Sequence, residues 1–148
     1  MNEIYELYQE IIIDHSRSPK NFGLLEHKTH TAVGNNPLCG DSINVDLIIN
    51  NDQIIDIKFN GQGCAIFLAS ASLMSEIIKE KNLDEVKKLF EYFQNMLTKD
   101  DESNLVELKK LSVLKGVREF PIRIKCATLS WHALIAAIGH NNQAITTE

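Results

Sequence analysis

At Gly61-Gln62-Gly63-Cys64 the hydrophobic period of this chain changes, and that change limits the folds open to it. Upstream, Ile43, Val45, Leu47 and Ile49 alternate with polar residues, and Ile55, Ile57 and Phe59 alternate against Asp56 and Lys58. A period of two is that of strands with one buried face. Asn50-Asn51-Asp52 between the two runs reads as a hairpin turn. With weaker strand character at residues 29–33, the segment predicts a three-stranded antiparallel meander.

Downstream the period becomes helical. Phe67, Leu68, Ala71, Met74 (or Ser75) and Ile78 fall on one face, and the small residues among them suit close packing on a sheet. Asn82 is placed to cap a next helix with Glu85 as its capping-box partner, and Leu83, Val86, Phe90, Phe93 and Leu97 line one side of it. A short helical piece is expected over residues 105–111. Phe120-Pro121 then reads as a break, with a final helix from about Ala127 to Ile138. Ahead of the strands, Ile4, Leu7, Tyr8, Ile11 and Ile12 predict an amphipathic helix over residues 4–15, stopped near Pro19. Residues 141–148 are expected to fray. The expectation is one α+β domain spanning 1–148, a small antiparallel sheet packed against helices.

The chain of 148 residues is long enough to bury a core without covalent staples. Its formal net charge of -5 counts against general affinity for nucleic acids or anionic membranes. No apolar run approaches the roughly 20 residues of a membrane span. Met1 to Glu6 lacks the basic region and apolar core of a secretory signal, so a cytoplasmic location is expected.

In a reducing compartment the three cysteines, Cys39, Cys64 and Cys126, argue for metal binding or reactive thiols rather than disulfides. Cys64 and Cys126 each open a predicted helix, where exposed amides favour a thiolate. Cys39 lies in the turn Asn36-Pro37-Leu38-Cys39-Gly40-Asp41, whose backbone can present amides of its own, and Asp41 can deliver an oxygen from the same turn. Three thiolates and a carboxylate suit tetrahedral zinc and would equally suit an iron-sulfur cluster. With zinc the first shell would carry about -2, which Arg123 and Lys125 could offset. Read singly, each cysteine also fits the role of a small buried hydrophobe. Asp41 could cap its turn, and the glycines could mark a tight strand-to-helix link. The five histidines show no paired ligand spacing and read as structural or surface residues. On these grounds the site is open between a metal centre and isolated thiols, and no substrate is named.

Five segments taken together resemble a known family: Tyr8-Gln9-Glu10-Ile11-Ile12-Ile13-Asp14-His15; Pro19-Lys20-Asn21-Phe22-Gly23; the Cys39 turn; Gly61-Gln62-Gly63-Cys64-Ala65-Ile66 with Ser70-Ala71-Ser72; and Arg123-Ile124-Lys125-Cys126-Ala127-Thr128-Leu129-Ser130-Trp131. The chain is similar to the NifU N-terminal-like iron-sulfur assembly proteins, and within them to the SufU branch. IscU scaffolds of the same family carry histidine where this chain has Lys125, and a Leu-Pro-Pro-Val-Lys chaperone motif where it has Glu119-Phe120-Pro121-Ile122-Arg123. The segment from about Asn82 to Lys110 is likewise similar to the SufU insertion.

The resemblance implies a SufE/NifU-like fold and a zinc site of Cys39, Asp41, Cys64 and Cys126. It implies that Cys39 accepts sulfur from a pyridoxal-phosphate cysteine desulfurase of the SufS type, with Arg123 assisting, and that the sulfur passes to downstream iron-sulfur assembly proteins. Such a chain is sulfurtransferase-like rather than a free-standing enzyme, and the chaperone of the IscU system is not expected as a partner. The main alternative is a scaffold on which an iron-sulfur cluster is held transiently and released. A second is a structural zinc-binding interaction module.

Overall fold

A computed structural model describes residues 9–139 and, further on, the backbone of residues 145 and 146. Strands β1 (His30–Asn36), β2 (Asp41–Asn50) and β3 (Gln53–Gln62) form the expected antiparallel meander. Between β2 and β3, Asn51 and Asp52 both adopt positive φ, 53° and 60°, the left-handed pair that matches a tight hairpin turn to strand twist. The strand alternation holds through Ile43, Val45 and Leu47 but shifts at the turn end of β3. A register irregularity opposite Ile48 and Ile49 leaves Ile55 as the extra residue. Ile54 therefore enters the core and Ile55, expected inside, is 44% exposed.

A fourth strand, β4 (Ile145–Thr146), pairs parallel to β1 and gives the order β3-β2-β1-β4. Fraying was expected across residues 141–148; these two residues are paired instead, and the others of that stretch lie outside the described residues.

Helix α1 (Glu10–Arg17) ends just before Ser18-Pro19; the expected turn at residues 4–8 lies outside the described residues. Helix α2 (Ala65–Ile78) is capped by Cys64. Helix α3 (Leu83–Thr98) carries the full capping box, with Asn82 accepting from Glu85 N–H and Glu85 accepting from Asn82 N–H. Helix α4 (Leu105–Leu108) passes into a 3-10 segment, Lys109–Glu119.

The last helix, α5, runs from Pro121 to Ile138 and not from Ala127. Proline begins it rather than breaking the chain, because the first helical position needs no N–H and proline already holds a helical φ. Cys126 is thereby moved from a helix start into the second turn.

The helices cover one face of the sheet. α5 lies across β1 and β2, α2 packs on α5 and β3, and α1 packs on α2. One apolar cluster results, with Trp131, Phe59, Phe67 and Phe93 fully buried and Phe93 stacked on Trp131 at 5.5 Å. Serines on α2 make the helix contacts directional. Ser70 Oγ donates to Ala127 O of α5 at 2.5 Å, Ser72 Oγ meets His15 Nδ1 at 2.7 Å, and Ser75 Oγ accepts from Asn21 Nδ2 at 2.9 Å. His15 is thus a structural histidine, as expected.

Candidate metal centre

Four elements meet at one end of the sheet. Antiparallel register places Asn36, the last residue of β1, directly opposite Asp41, the first of β2. The turn between them holds Cys39 over the end of the ladder. Gly40 takes a positive φ of 73° there, a conformation that costs glycine least. The N–H groups of Cys39 and Gly40 both donate to Asn36 O, at 3.2 and 2.9 Å. The turn therefore spends these amides on its own closure, and the expected presentation of backbone amides to the thiol is not seen.

Asp41 is 1% exposed. Its Oδ1 accepts from Cys64 N–H at 3.0 Å and its Oδ2 from Asn36 Nδ2 at 3.3 Å. A buried carboxylate held by two donors is fixed in place. Gly63 makes the room for it: a Cβ there would lie 2.3 Å from Asp41 Oδ1 and 2.7 Å from Phe67 Cδ2.

Cys39, Asp41 and Cys126 each offer a ligand atom, and these three atoms lie within 4.8 Å of one another. Cys64 sits beside them at the start of α2, outside that mutual set, with its Sγ accepting from Phe67 N–H at 3.5 Å. Arg123, one helical turn before Cys126, aims Nη1 at Cys39 Sγ and Cys126 Sγ alike, 3.9 Å from each. Among the described residues no histidine joins the metal-capable cluster.

The thiols are unequal. A hydrogen bond from the Cys126 thiol, with a smaller contribution from Phe67 N–H, pulls Cys64 down to about 6. Cys126 is pushed up, first by Cys64 and then by burial. The two thiols titrate as a pair, the first proton leaving more readily than from an isolated thiol and the second held more tightly. Arg123 is held more firmly protonated by these sulfurs, above all by Cys126.

Two contributions were not read from the sequence. Asn36 is wholly buried and donates through Nδ2 to Asp41 and, at 3.6 Å, to Cys126 Sγ; ahead of a proline it signalled only a turn. Around Cys39 opens a cleft of about 530 Å³, lined also by Leu38, Phe120, Pro121, Ile122 and Arg123. Leu38 and Ile122 are each 61% exposed. The available signal was Leu38, apolar beside the thiol in an otherwise polar turn, and the apolar run Phe120-Pro121-Ile122 directly ahead of the arginine.

Known proteins are similar to this chain over most of its length. Zinc-dependent sulfurtransferase SufU of Bacillus subtilis is 40% identical over 128 residues, covering 86% of each chain. Iron-sulfur cluster assembly scaffold protein IscU of Streptococcus pyogenes is 36% identical over 144 residues, covering 97% of this chain and 90% of its own. Among solved structures, an iron-sulfur cluster assembly scaffold protein for the SUF system from Fervidobacterium islandicum superposes with a TM-score of 0.84 at 32% identity, over 89% of this chain and 96% of its own. A model of the NifU-like N-terminal domain matches residues 7–147. With nearly its whole length matched, and with its cysteines gathered at the end of the sheet, this chain belongs to the NifU-like N-terminal domain family.

Proposed function

We propose that this chain takes part in iron-sulfur cluster assembly as a zinc-dependent sulfur acceptor, receiving persulfide sulfur on Cys39 from a pyridoxal-phosphate cysteine desulfurase. The observation that carries the reading is the position of Cys39: it faces the open cleft on the turn, while the neighbouring Asp41 is buried and fixed. A nucleophile open to the cleft beside an anchored ligand suits acceptance and release better than a closed structural site. The Bacillus subtilis relative named a zinc-dependent sulfurtransferase supports the same reading.

The residues fit zinc. Two sulfurs and a carboxylate oxygen already converge, Cys64 stands beside them at the start of α2 with its thiol pulled down to about 6, and Arg123 offsets the excess negative charge. Cys39, Asp41, Cys64 and Cys126 would hold the ion, which when bound would keep the thiols deprotonated and shielded from oxidation.

The chain's own residues then set the chemistry. Arg123, with Nη1 3.9 Å from the Cys39 sulfur, stabilises negative charge there as the sulfur reacts. The Cys39 sulfur attacks the outer sulfur of the donor persulfide. A new S–S bond forms on Cys39, the donor's S–S bond breaks, and its electron pair leaves with the donor thiolate. No net oxidant is consumed, and the persulfide on Cys39 is open to a downstream acceptor through the same cleft. Among the described residues no helix is long and apolar enough to cross a membrane.

The scaffold reading draws on the oxygen ligand, since Asp41 would make a bound cluster labile, and on the relative named a scaffold. Anaerobic purification with metal and sulfide analysis, followed by alanine release from a cysteine desulfurase, separates the two. Zinc with accelerated release is expected. Stoichiometric iron and acid-labile sulfide would favour the scaffold. Unchanged stimulation by Cys39→Ala would refute sulfur acceptance at Cys39.

A further inference from the structure

We infer that Asn36 is the positioning residue of the metal centre, fixing the Asp41 carboxylate and weakening the donor strength of the Cys126 sulfur through one side-chain amide. The inference rests on the proposed metal-site reading and assigns a task to a residue that supplies no ligand.

The geometry carries it. Asn36 is 0% exposed, and its Nδ2 lies 3.3 Å from Asp41 Oδ2 and 3.6 Å from Cys126 Sγ. An amide nitrogen has two hydrogens, and here it has two acceptors, both anionic when a metal is bound. The alternative orientation of the amide would turn its oxygen toward a carboxylate and a sulfur, so the chemistry of the neighbours fixes which end faces the site. Meanwhile Asn36 Oδ1 is buried without a hydrogen-bond partner among the described residues. A buried acceptor left unsatisfied is costly, and the side chain is held in that state by what its nitrogen does on the other side. Asn36 also closes the Cys39 turn through its backbone, accepting from Cys39 and Gly40 N–H. One residue thereby touches Asp41, Cys126 and the turn that bears Cys39.

The chemical consequence follows from the N–H···S contact. A hydrogen bond to a thiolate draws electron density from sulfur and lowers its lone-pair energy. The metal–sulfur bond becomes less covalent, while the ligand geometry is held ready. Residues that orient ligands in this way typically change metal affinity 10- to 100-fold when removed, on the order seen for outer-shell partners generally.

The test uses the full chain with zinc alone and with cobalt(II) alone, comparing wild type, Asn36→Ala and Asn36→Asp. Zinc affinity is measured by chelator competition, and the sulfur-to-cobalt charge-transfer band by absorption. Asn36→Ala releases the Asp41 carboxylate, a loss of orientation that outweighs the gain in Cys126 donor strength, so it is expected to lose about 10- to 100-fold in zinc affinity and to move the band to lower energy, a shift that a loss of fold stability alone would not produce. Asn36→Asp, equal in size but with acceptors in place of donors, is expected to lose more. If wild type binds cobalt through sulfur and both variants match it in affinity and band position, the role of Asn36 is overturned and the metal site stands. If wild type binds neither ion, the metal reading falls, and this inference with it. Should the variants not fold, wild type loaded with cadmium-113 decides: a scalar coupling between an Asn36 side-chain proton and the metal, carried through Cys126 sulfur, is expected, and its absence overturns the inference.

Discussion

Gly63→Ala is a one-methyl change whose effect can be worked from the structure. The new Cβ would lie 2.3 Å from Asp41 Oδ1, 2.9 Å from Asp41 Cγ and 2.7 Å from Phe67 Cδ2. None of the three can retreat easily. Phe67 is fully buried, and the Asp41 carboxylate is held by Cys64 N–H on one oxygen and Asn36 on the other. Overpacking of this kind costs about 1–3 kcal/mol, and if the carboxylate gives way a charge-assisted hydrogen bond worth about 1.5–3 kcal/mol goes with it. A loss of about 2 kcal/mol corresponds to a fall in Tm of roughly 4–8 °C at this chain length. With Asp41 as the proposed oxygen ligand, zinc affinity should drop by about 10-fold or more in the same variant. Thermal unfolding of the zinc-free protein and chelator competition measure the two effects separately. Gly116→Ala is the control, since nothing lies within 4 Å of a Cβ there, and it should leave both unchanged. Wild-type Tm and wild-type zinc affinity in Gly63→Ala would refute the claim that this glycine makes room for the carboxylate.

Arg123→Ala should slow sulfur uptake by Cys39 by about 100-fold or more, the usual scale for removing one preorganised charge donor. Arg123→Lys should restore little of it, because the lysine Nζ ends one bond short of the Nη1 that lies 3.9 Å from both sulfurs; full activity in the lysine variant would count against the bridging role. Burial holds His15 below its ordinary value of 6.5, opposed by Glu76 and Asp14 and helped by Lys110 and Lys20. The unfolded chain therefore binds the proton first as pH falls, and stability is present above 6.5 and lost below it. His132, also lowered by burial, acts in the same direction. With zinc removed, Tm should fall from about pH 7.5 to about pH 5.5 and fall less in His15→Gln; a wild-type Tm that rises over that interval would refute the linkage.

Local signals were legible where the physics is local. The Asn82–Glu85 capping box and the Asn51-Asp52 turn formed as read, because each is satisfied by atoms within a few residues. The alternation of Ile43, Val45 and Leu47 also survived, since one face of β2 meets α5. Errors came where distant packing chose between patterns. Ile54 and Ile55 are both good core residues, and the bulge opposite Ile48 and Ile49 decided which one turned inward. Phe120-Pro121 reads locally as a break, yet α5 begins at Pro121, and the helix that continues beyond it lies across β1 and β2.

The sequence by itself determined the fold class and the kinds of donor at the site. Those depend on hydrophobic period and on side-chain chemistry, both carried by the residues themselves. It also identified Cys39, Asp41, Cys64, Cys126 and Arg123 as the candidates. Only the tertiary structure decided their relations: Cys39, Asp41 and Cys126 as one cluster with Cys64 beside it, and Arg123 between two sulfurs. Asn36 emerged as their shared support only there as well. The reason is geometric. Asn36 and Cys126 are far apart in the chain and meet because β1 and β2 pair in one register and α5 crosses them, and no local pattern records a contact made by three elements at once.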